Sequence, residues 1–413
     1  MDASTPTSPS VGAGVDPAVR ERYAELIVGF GANVQPGQIV EVRADFEKRE
    51  LVHALAAAAY RRGARFVDVN WFDPWVRRAR IEHADPDTLD FVPTWTRERV
   101  LQLGEQRCAR IALSPTAPLG VVADLDPRLV AREPLPFIEE YFRVIDDNTT
   151  NWTGSPCPTP SWASVVHPEL EPDAALARLW DEIVHVCRLD EDDPVAAWRR
   201  RFDELARVER ELNERRFDAL RFRGPGTDLT VGLLPSSTWD SGESTTVDGI
   251  VFAANVPTEE IYTAPDPARV DGVVASTKPL VLKGGALVRG LVVRFENGRA
   301  VGIDADEGAE TLRARAAHDD GASRLGEVAL VDRGGRIGPL GTVFYDTLLD
   351  ENAASHVALG SAYLGTVGDE DRDRVNRSGI HVDFMIGSDE VEVSGVARDG
   401  TEMPVLRGGD WQL

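Results

Sequence analysis

Hydrophobic positions along the chain change their period about halfway. Over residues 17–33, Tyr23, Leu26, Ile27 and Phe30 recur at i, i+3, i+4 and i+7, the spacing of one helix face. Pro36-Gly37 stops that helix, QIVEVRA (38–44) alternates as a strand does, and a Leu- and Ala-rich helix over 49–62 ends at Gly63. RFVDVNW (65–71) is the next strand and ARIALSP (109–115) a further one. Strand, helix, strand with short links is a βαβ unit, so the pattern predicts a parallel sheet covered by helices. Two more helices follow. One, over 173–187, carries Leu176, Leu179, Trp180, Ile183 and Val184 on one face; the other, over 194–216, carries Trp198, Phe202, Leu205, Val208 and Leu212 as its stripe. That second stripe either packs within the chain or lines a dimer interface.

After Arg216 the texture becomes that of strands. ALRFRGPGTDLTVGLL (219–234) reads as two strands joined at Gly-Pro-Gly, and 278–305 as a run of strands with a hairpin signal at Asn297-Gly298. The expected organisation is a mobile tail over 1–16, an α/β domain over 17–216 and an α+β, β-rich catalytic domain over 217–413. The first domain has neither a GxGxxG turn nor a GxxxxGK[ST] loop, so it reads as scaffold rather than chemistry.

Composition narrows the class. With 42% hydrophobic and 28% charged residues over 413 positions, the chain is globular and wholesale disorder is excluded. A formal charge of −24 repels phosphate backbones and anionic membranes, which argues against nucleic-acid and membrane partners. No stretch approaches the roughly 20 apolar residues of a membrane span. The first residues lack a basic and apolar leader, and the three cysteines form no CxxC pair, so a reduced, cytoplasmic setting is expected.

Candidate chemistry gathers in the last 160 residues. His381 and Asp383 stand two apart at the start of the strand HVDFMIG, so both leave one face, as a two-ligand unit or as a surface pair. His356 lies in DENAASHVALGSAY, read here as a helix on which Tyr363, seven residues on, shares its face. Its small neighbours admit either a metal centre or tight helix packing. Glu327 enters the apolar strand RLGEVALV and needs a partner, a metal or Arg324. Glu259 and Glu260 sit in the proline-flanked loop NVPTEEIYTAP, as ligands or as a solvated acidic turn. Glu260, Glu327, His356, His381 and Asp383 together exceed the needs of one four-coordinate zinc. Two divalent metals sharing a carboxylate fit that count, zinc foremost, with cobalt, manganese or magnesium as alternatives.

The segments FRGPGTDLTVGL (222–233), NVPTEEIYTAPDPARVDGVV (255–274), GASRLGEVALV (321–331), FYDTLLDENAASHVALGSAY (344–363) and HVDFMIGSDEVEVSG (381–395) resemble the aminopeptidase T family of bacterial dinuclear metallo-aminopeptidases. TTNW (149–152) and DPVAAW (193–198) extend the likeness, which is tightest over the last 200 residues. It implies Glu260, Glu327, His356, His381 and Asp383 as metal ligands, with Glu327 bridging, and Tyr363 as an oxyanion donor. Glu259 is the candidate proton carrier. The implied function is hydrolysis of the N-terminal bond of short peptides by a homodimer. Two alternatives share the site: an amide hydrolase for a specialised small molecule, and a mononuclear Fe(II) ring-cleaving dioxygenase using His356, His381 and Asp383.

Overall fold

The computed structural model describes residues 15–115, 118, 120–136, 138–282 and 285–413. The expected tail lies outside them except for Val15 and Asp16, and Asp16 accepts the Ala18 amide at the start of the first helix.

The predicted βαβ unit forms. Phe66–Trp71, Ile39–Ala44, Ala109–Ser114 and Trp152–Pro156 lie side by side in that order, all parallel. One face, with Val40, Val42 and Ile111, is buried in the main core. The other face is polar. Glu41 accepts from Arg110 and Arg99, each at 3.1 Å, and Tyr141 is stacked between the guanidiniums of Arg43 (4.6 Å) and Arg110 (4.3 Å). Tyr141 belongs to the helix Glu139–Asp146, which thus meets the polar face of the sheet through cation–π contacts.

The stripe of Pro194–Arg215 is settled as internal. Trp198, Phe202, Leu205, Val208 and Leu212 are all buried, and Trp198 Nε1 donates to Cys187 O at 3.1 Å.

Beyond it the strands are antiparallel. An eight-stranded sheet is built around Ala219–Gly224, Thr227–Leu233 and Pro265–Ala275, and includes the hairpin Val292–Glu296/Arg299–Asp304. Asn297 and Gly298 turn that hairpin with φ of 49° and 79°, the left-handed pair that a type I′ turn requires. A five-stranded sheet runs His381–Met385, His356–Gly360, Leu325–Val331, Glu260–Thr263, Asp240–Ser241. The two sheets share a chain, since Glu260–Thr263 leads after one residue into Pro265–Ala275.

His356 therefore begins a strand, which corrects the helix expected there. HVALG is buried at every position between two neighbouring strands, and a short, fully buried run has no period that separates strand from helix. Tyr363 consequently shares no helix face with it and follows the strand in a loop.

Gly360 ends this strand at φ 108°, where an added Cβ would come within 2.1 Å of Ile380 O. Gly360→Ala is expected to destabilise the fold by about 3 kcal/mol through strain and overpacking, read as a lowered urea midpoint.

Candidate metal centre

Three adjacent strands aim their side chains at one point. Across the five-stranded sheet Ala358 pairs with Asp383 on one side and with Glu327 on the other, and Gly360 pairs with His381. His356, Ala358 and Gly360 alternate onto one face, so a single imidazole is followed by two small residues. The space they leave is taken by Glu327, His381 and Asp383 from either side. The register shifts between Leu325 and Glu327, and Gly326 lets the bulge close, since its Cβ would meet Gly360 O at 2.3 Å. From the far side of Leu325–Val331, Glu260 opens its own strand.

The five expected ligand positions are thereby brought together. His356 Nε2 lies 3.1 Å from Glu260 Oε2 and 3.7 Å from Glu327 Oε1. His381 Nε2 lies 3.2 Å from Glu327 Oε2 and 3.1 Å from Asp383 Oδ1. Glu327 thus turns one oxygen to each histidine. Ligand atoms converge in three sets: Glu260, Glu327 and His356; Glu327, His381 and Asp383; Glu351, His356 and Asp383. Arg324, the alternative partner for Glu327, donates instead to Pro267 O at 2.8 Å.

Glu351 is the residue that the sequence reading missed. It stands five residues before His356, in the segment read as a helix. The turn that carries it is fixed by Asp350, whose carboxylate accepts the amides of Phe344 (2.9 Å) and Asp346 (3.2 Å), and burial pushes the Asp350 carboxyl up to about 7.

The electrostatics of the cluster favour a cation. It opens on a recess of about 220 Å³ whose lining includes the carboxyls of Asp146, Asp240, Glu260, Glu327, Glu351 and Asp383 and, among the described residues, no Lys or Arg. Desolvation first, then Asp383 and Glu260, hold the Glu351 carboxyl well above its usual value. Burial opposes charge on His356, but hydrogen bonding and the charges of Glu260 and Glu327 outweigh it and raise its pKa well above 6.5; Asp383 and Glu327 do the same for His381. Each imidazole also faces a backbone carbonyl through Nδ1, His356 toward Ala354 O at 3.3 Å and His381 toward Ser361 O at 2.8 Å. A ring that donates there presents Nε2 as a lone pair toward the carboxylates. Glu260 Oε2, although close to His356, has no partner in hydrogen-bond geometry. Imidazole nitrogens and carboxylate oxygens converging at this range are the donor set of a divalent metal, and a metal and a proton compete for it.

Tyr363 stands at the recess with its ring 5.3 Å from His381 and 5.8 Å from Tyr262. It keeps 39% exposure, yet desolvation and the charges of Glu327 and Asp383 hold its phenol well above the usual value, so it remains a donor.

Glu259 is placed elsewhere. It is fully buried and accepts from Arg188 Nη2 at 2.9 Å and Arg201 Nε at 2.6 Å, and its amide donates to Asn352 Oδ1 at 2.6 Å. Both of its oxygens are committed to arginines, and it is not among the residues that line the recess, where a proton carrier is expected.

The first region also contributes more than scaffold, against expectation. Asp146, Asn148 and Trp152 line the recess, and Gly154 donates to Ala254 O at 2.8 Å and accepts from Val256 N at 2.9 Å, tying the parallel sheet to the segment before Glu260.

A family model described as thermophilic metalloprotease (M29) matches residues 18–411. Aminopeptidase T of Thermus thermophilus is 42% identical over 400 residues, covering 95% of this chain and 98% of that protein. Aminopeptidase PepS of Streptococcus thermophilus is 38% identical over 406 residues, with 95% and 98% covered. The solved structure of wild-type AmpT from Thermus thermophilus matches with a TM-score of 0.87 at 41% identity, over 96% of this chain and 99% of that one. The structure of 2,5-dihydroxypyridine dioxygenase from Pseudomonas putida KT2440 gives a TM-score of 0.50 at 13% identity, over 96% and 98%, a likeness of fold alone.

Glu259→Gln leaves Arg188 and Arg201 as buried, under-compensated cations. It is expected to lower stability by about 3–5 kcal/mol in urea titration, the range for breaking a buried pair. A proton carrier would instead leave the midpoint in place and slow turnover alone.

Proposed function

The chain belongs to the thermophilic metalloprotease (M29) family, and from that premise we propose that it removes N-terminal residues from short peptides at a pair of divalent metal ions. It is a metal-dependent aminopeptidase, a hydrolase of peptide bonds. The observation that carries the metal reading is the convergence of four carboxylates and two imidazole Nε2 atoms without a Lys or Arg among the described residues of the recess.

Glu260, Glu327 and His356 would hold one ion, and Glu327, His381 and Asp383 the other, which gives Glu327 a place in both sets. Zinc suits this mixture of imidazole and carboxylate. Bound there, such a pair would activate a water and polarise the scissile carbonyl. Glu351, a carboxyl of the same recess, would be kept ionised by the neighbouring cations and would carry a proton from the attacking water to the leaving amine. Tyr363 donates its hydroxyl proton as a hydrogen bond to the developing oxyanion. The donor set outnumbers a two-histidine, one-carboxylate iron site, which disfavours the dioxygenase reading.

We place the protein in the cytoplasm as a homodimer. Among the described residues no helix is long and apolar enough to cross a membrane, and the three thiols are free and buried. The edge strand Phe66–Trp71 has a neighbour on one side only, near a surface that exposes Phe46, Trp75, Phe91 and Trp95, and such an edge suits a second copy.

Purified protein is expected to carry about two divalent ions per subunit, the stoichiometry of a paired-metal hydrolase. It should release free amino acids from short peptides only when loaded; a single iron and no cleavage would sink this reading. Glu351→Gln is expected to keep its metal while kcat falls by about 10²–10⁴, the range for loss of a general acid–base. Glu327→Ala should lose both ions in elemental analysis.

A further inference from the structure

Two cavities meet at the cluster. The small acidic recess and a larger cavity of about 1140 Å³ share Asp146, Leu364 and His381. The larger one extends away from His381, past Gly379 and His318, to Arg315 and Arg77. Its volume is several times that of the recess, so the longer part of a peptide fits there.

The two cavities differ in charge. Six carboxylates and, among the described residues, no Lys or Arg line the recess, whereas six arginines stand against five carboxylates in the larger cavity. At the far end of the larger cavity three guanidiniums gather around one carboxylate. Glu133 accepts from Arg77 at 2.6 Å and from Arg80 at 2.9 Å, and Arg315 lines the same cavity within reach of the charges of Arg77 and Glu133. Glu133 and Arg77 are buried, and burial first, then the like charge of Arg77, press the Arg315 guanidinium down to about 10. An arginine-rich wall in a chain of net charge −24 is not a product of bulk composition. It attracts a small anion, and a guanidinium fork matches a carboxylate.

A free peptide is an ammonium at one end and a carboxylate at the other. We propose that the larger cavity is the subsite for the part of the peptide beyond the cleaved bond, with Arg315, backed by Arg77, pairing with the terminal carboxylate. This rests on the peptidase reading above and deepens it. The polarity of the two cavities then sets the direction of binding, amino end at the cluster and carboxyl end at Arg315. It also favours peptides whose carboxyl end reaches that arginine.

The test compares tri- to pentapeptides with their C-terminal amides, with an aminoacyl anilide as a carboxylate-free probe of the peptidase reading. Wild type is expected to favour the acid over the amide at the best length by about 10- to 100-fold in kcat/KM, the range for one charge-assisted hydrogen bond. In Arg315→Gln that ratio should fall to near one. A wild-type ratio near one overturns the proposal without any variant. A ratio kept in Arg315→Gln but lost in Arg377→Gln, which changes another arginine of the same cavity, overturns the assignment to Arg315. Absence of anilide turnover in metal-loaded enzyme would instead strike the peptidase reading. Calorimetric binding of acid and amide then still reads the subsite: tighter acid binding that Arg315→Gln abolishes supports it, and equal binding overturns it.

Discussion

The structure is organised around a repulsion. Glu260, Glu327, Glu351 and Asp383 turn carboxylate oxygens into one partly buried space, a few ångströms from one another. Such groups either take up protons or gather a cation, because uncompensated negative charge in a dry site is costly. The two imidazoles mark which outcome the fold favours. With Nδ1 set against a backbone carbonyl, each turns Nε2 to the carboxylates, where a metal that displaces the proton finds its ligand already aimed. The fold therefore supplies half of an interaction, and the family to which the chain belongs is one of metalloproteases.

A cluster that repels itself has to be held from behind. Glu260 and Glu351 lie on separate segments, and the amide of Glu259 joins them through its bond to Asn352. Glu259 is in turn fixed by Arg188 and Arg201, and Arg201 also binds Asp332 at the end of the strand that carries Glu327. Arg188 packs 4.7 Å over the ring of Trp198, so this ionic layer is keyed to the long helix Pro194–Arg215. The two neighbouring glutamates do opposite work: one faces the cluster, and the other takes its charge into the arginines that brace it.

How much of this was legible in the sequence follows from where period and chemistry agree. Glu327 in an apolar strand and the His381/Asp383 spacing stand as read, because alternation alone places them on one strand face. The βαβ unit and the Asn297-Gly298 hairpin were legible for the same reason. His356 was not, since a five-residue run buried on both faces carries no period and its Ala and Leu content favours a helix. Glu351 was hidden by its place five residues before His356, in a turn that the expected helix left no room for. The partners of Glu259 were beyond reach, because Arg188 and Arg201 lie 71 and 58 residues away and only tertiary packing brings them in.

The first region was read as scaffold because it lacks a phosphate loop, and that inference equated chemistry with known motifs. What it lends to the site is shape and charge. Asp146 and Trp152 close the recess opposite the five-stranded sheet, and Asp146 also lies where the two cavities meet. Asp146 ends a helix held over the sheet by Tyr141 between two arginines. A cluster on one sheet edge alone would be open to water on its outer side. It is the first region, packed across it through Gly154 and the residues before Glu260, that turns a patch of ligands into a recess with a direction.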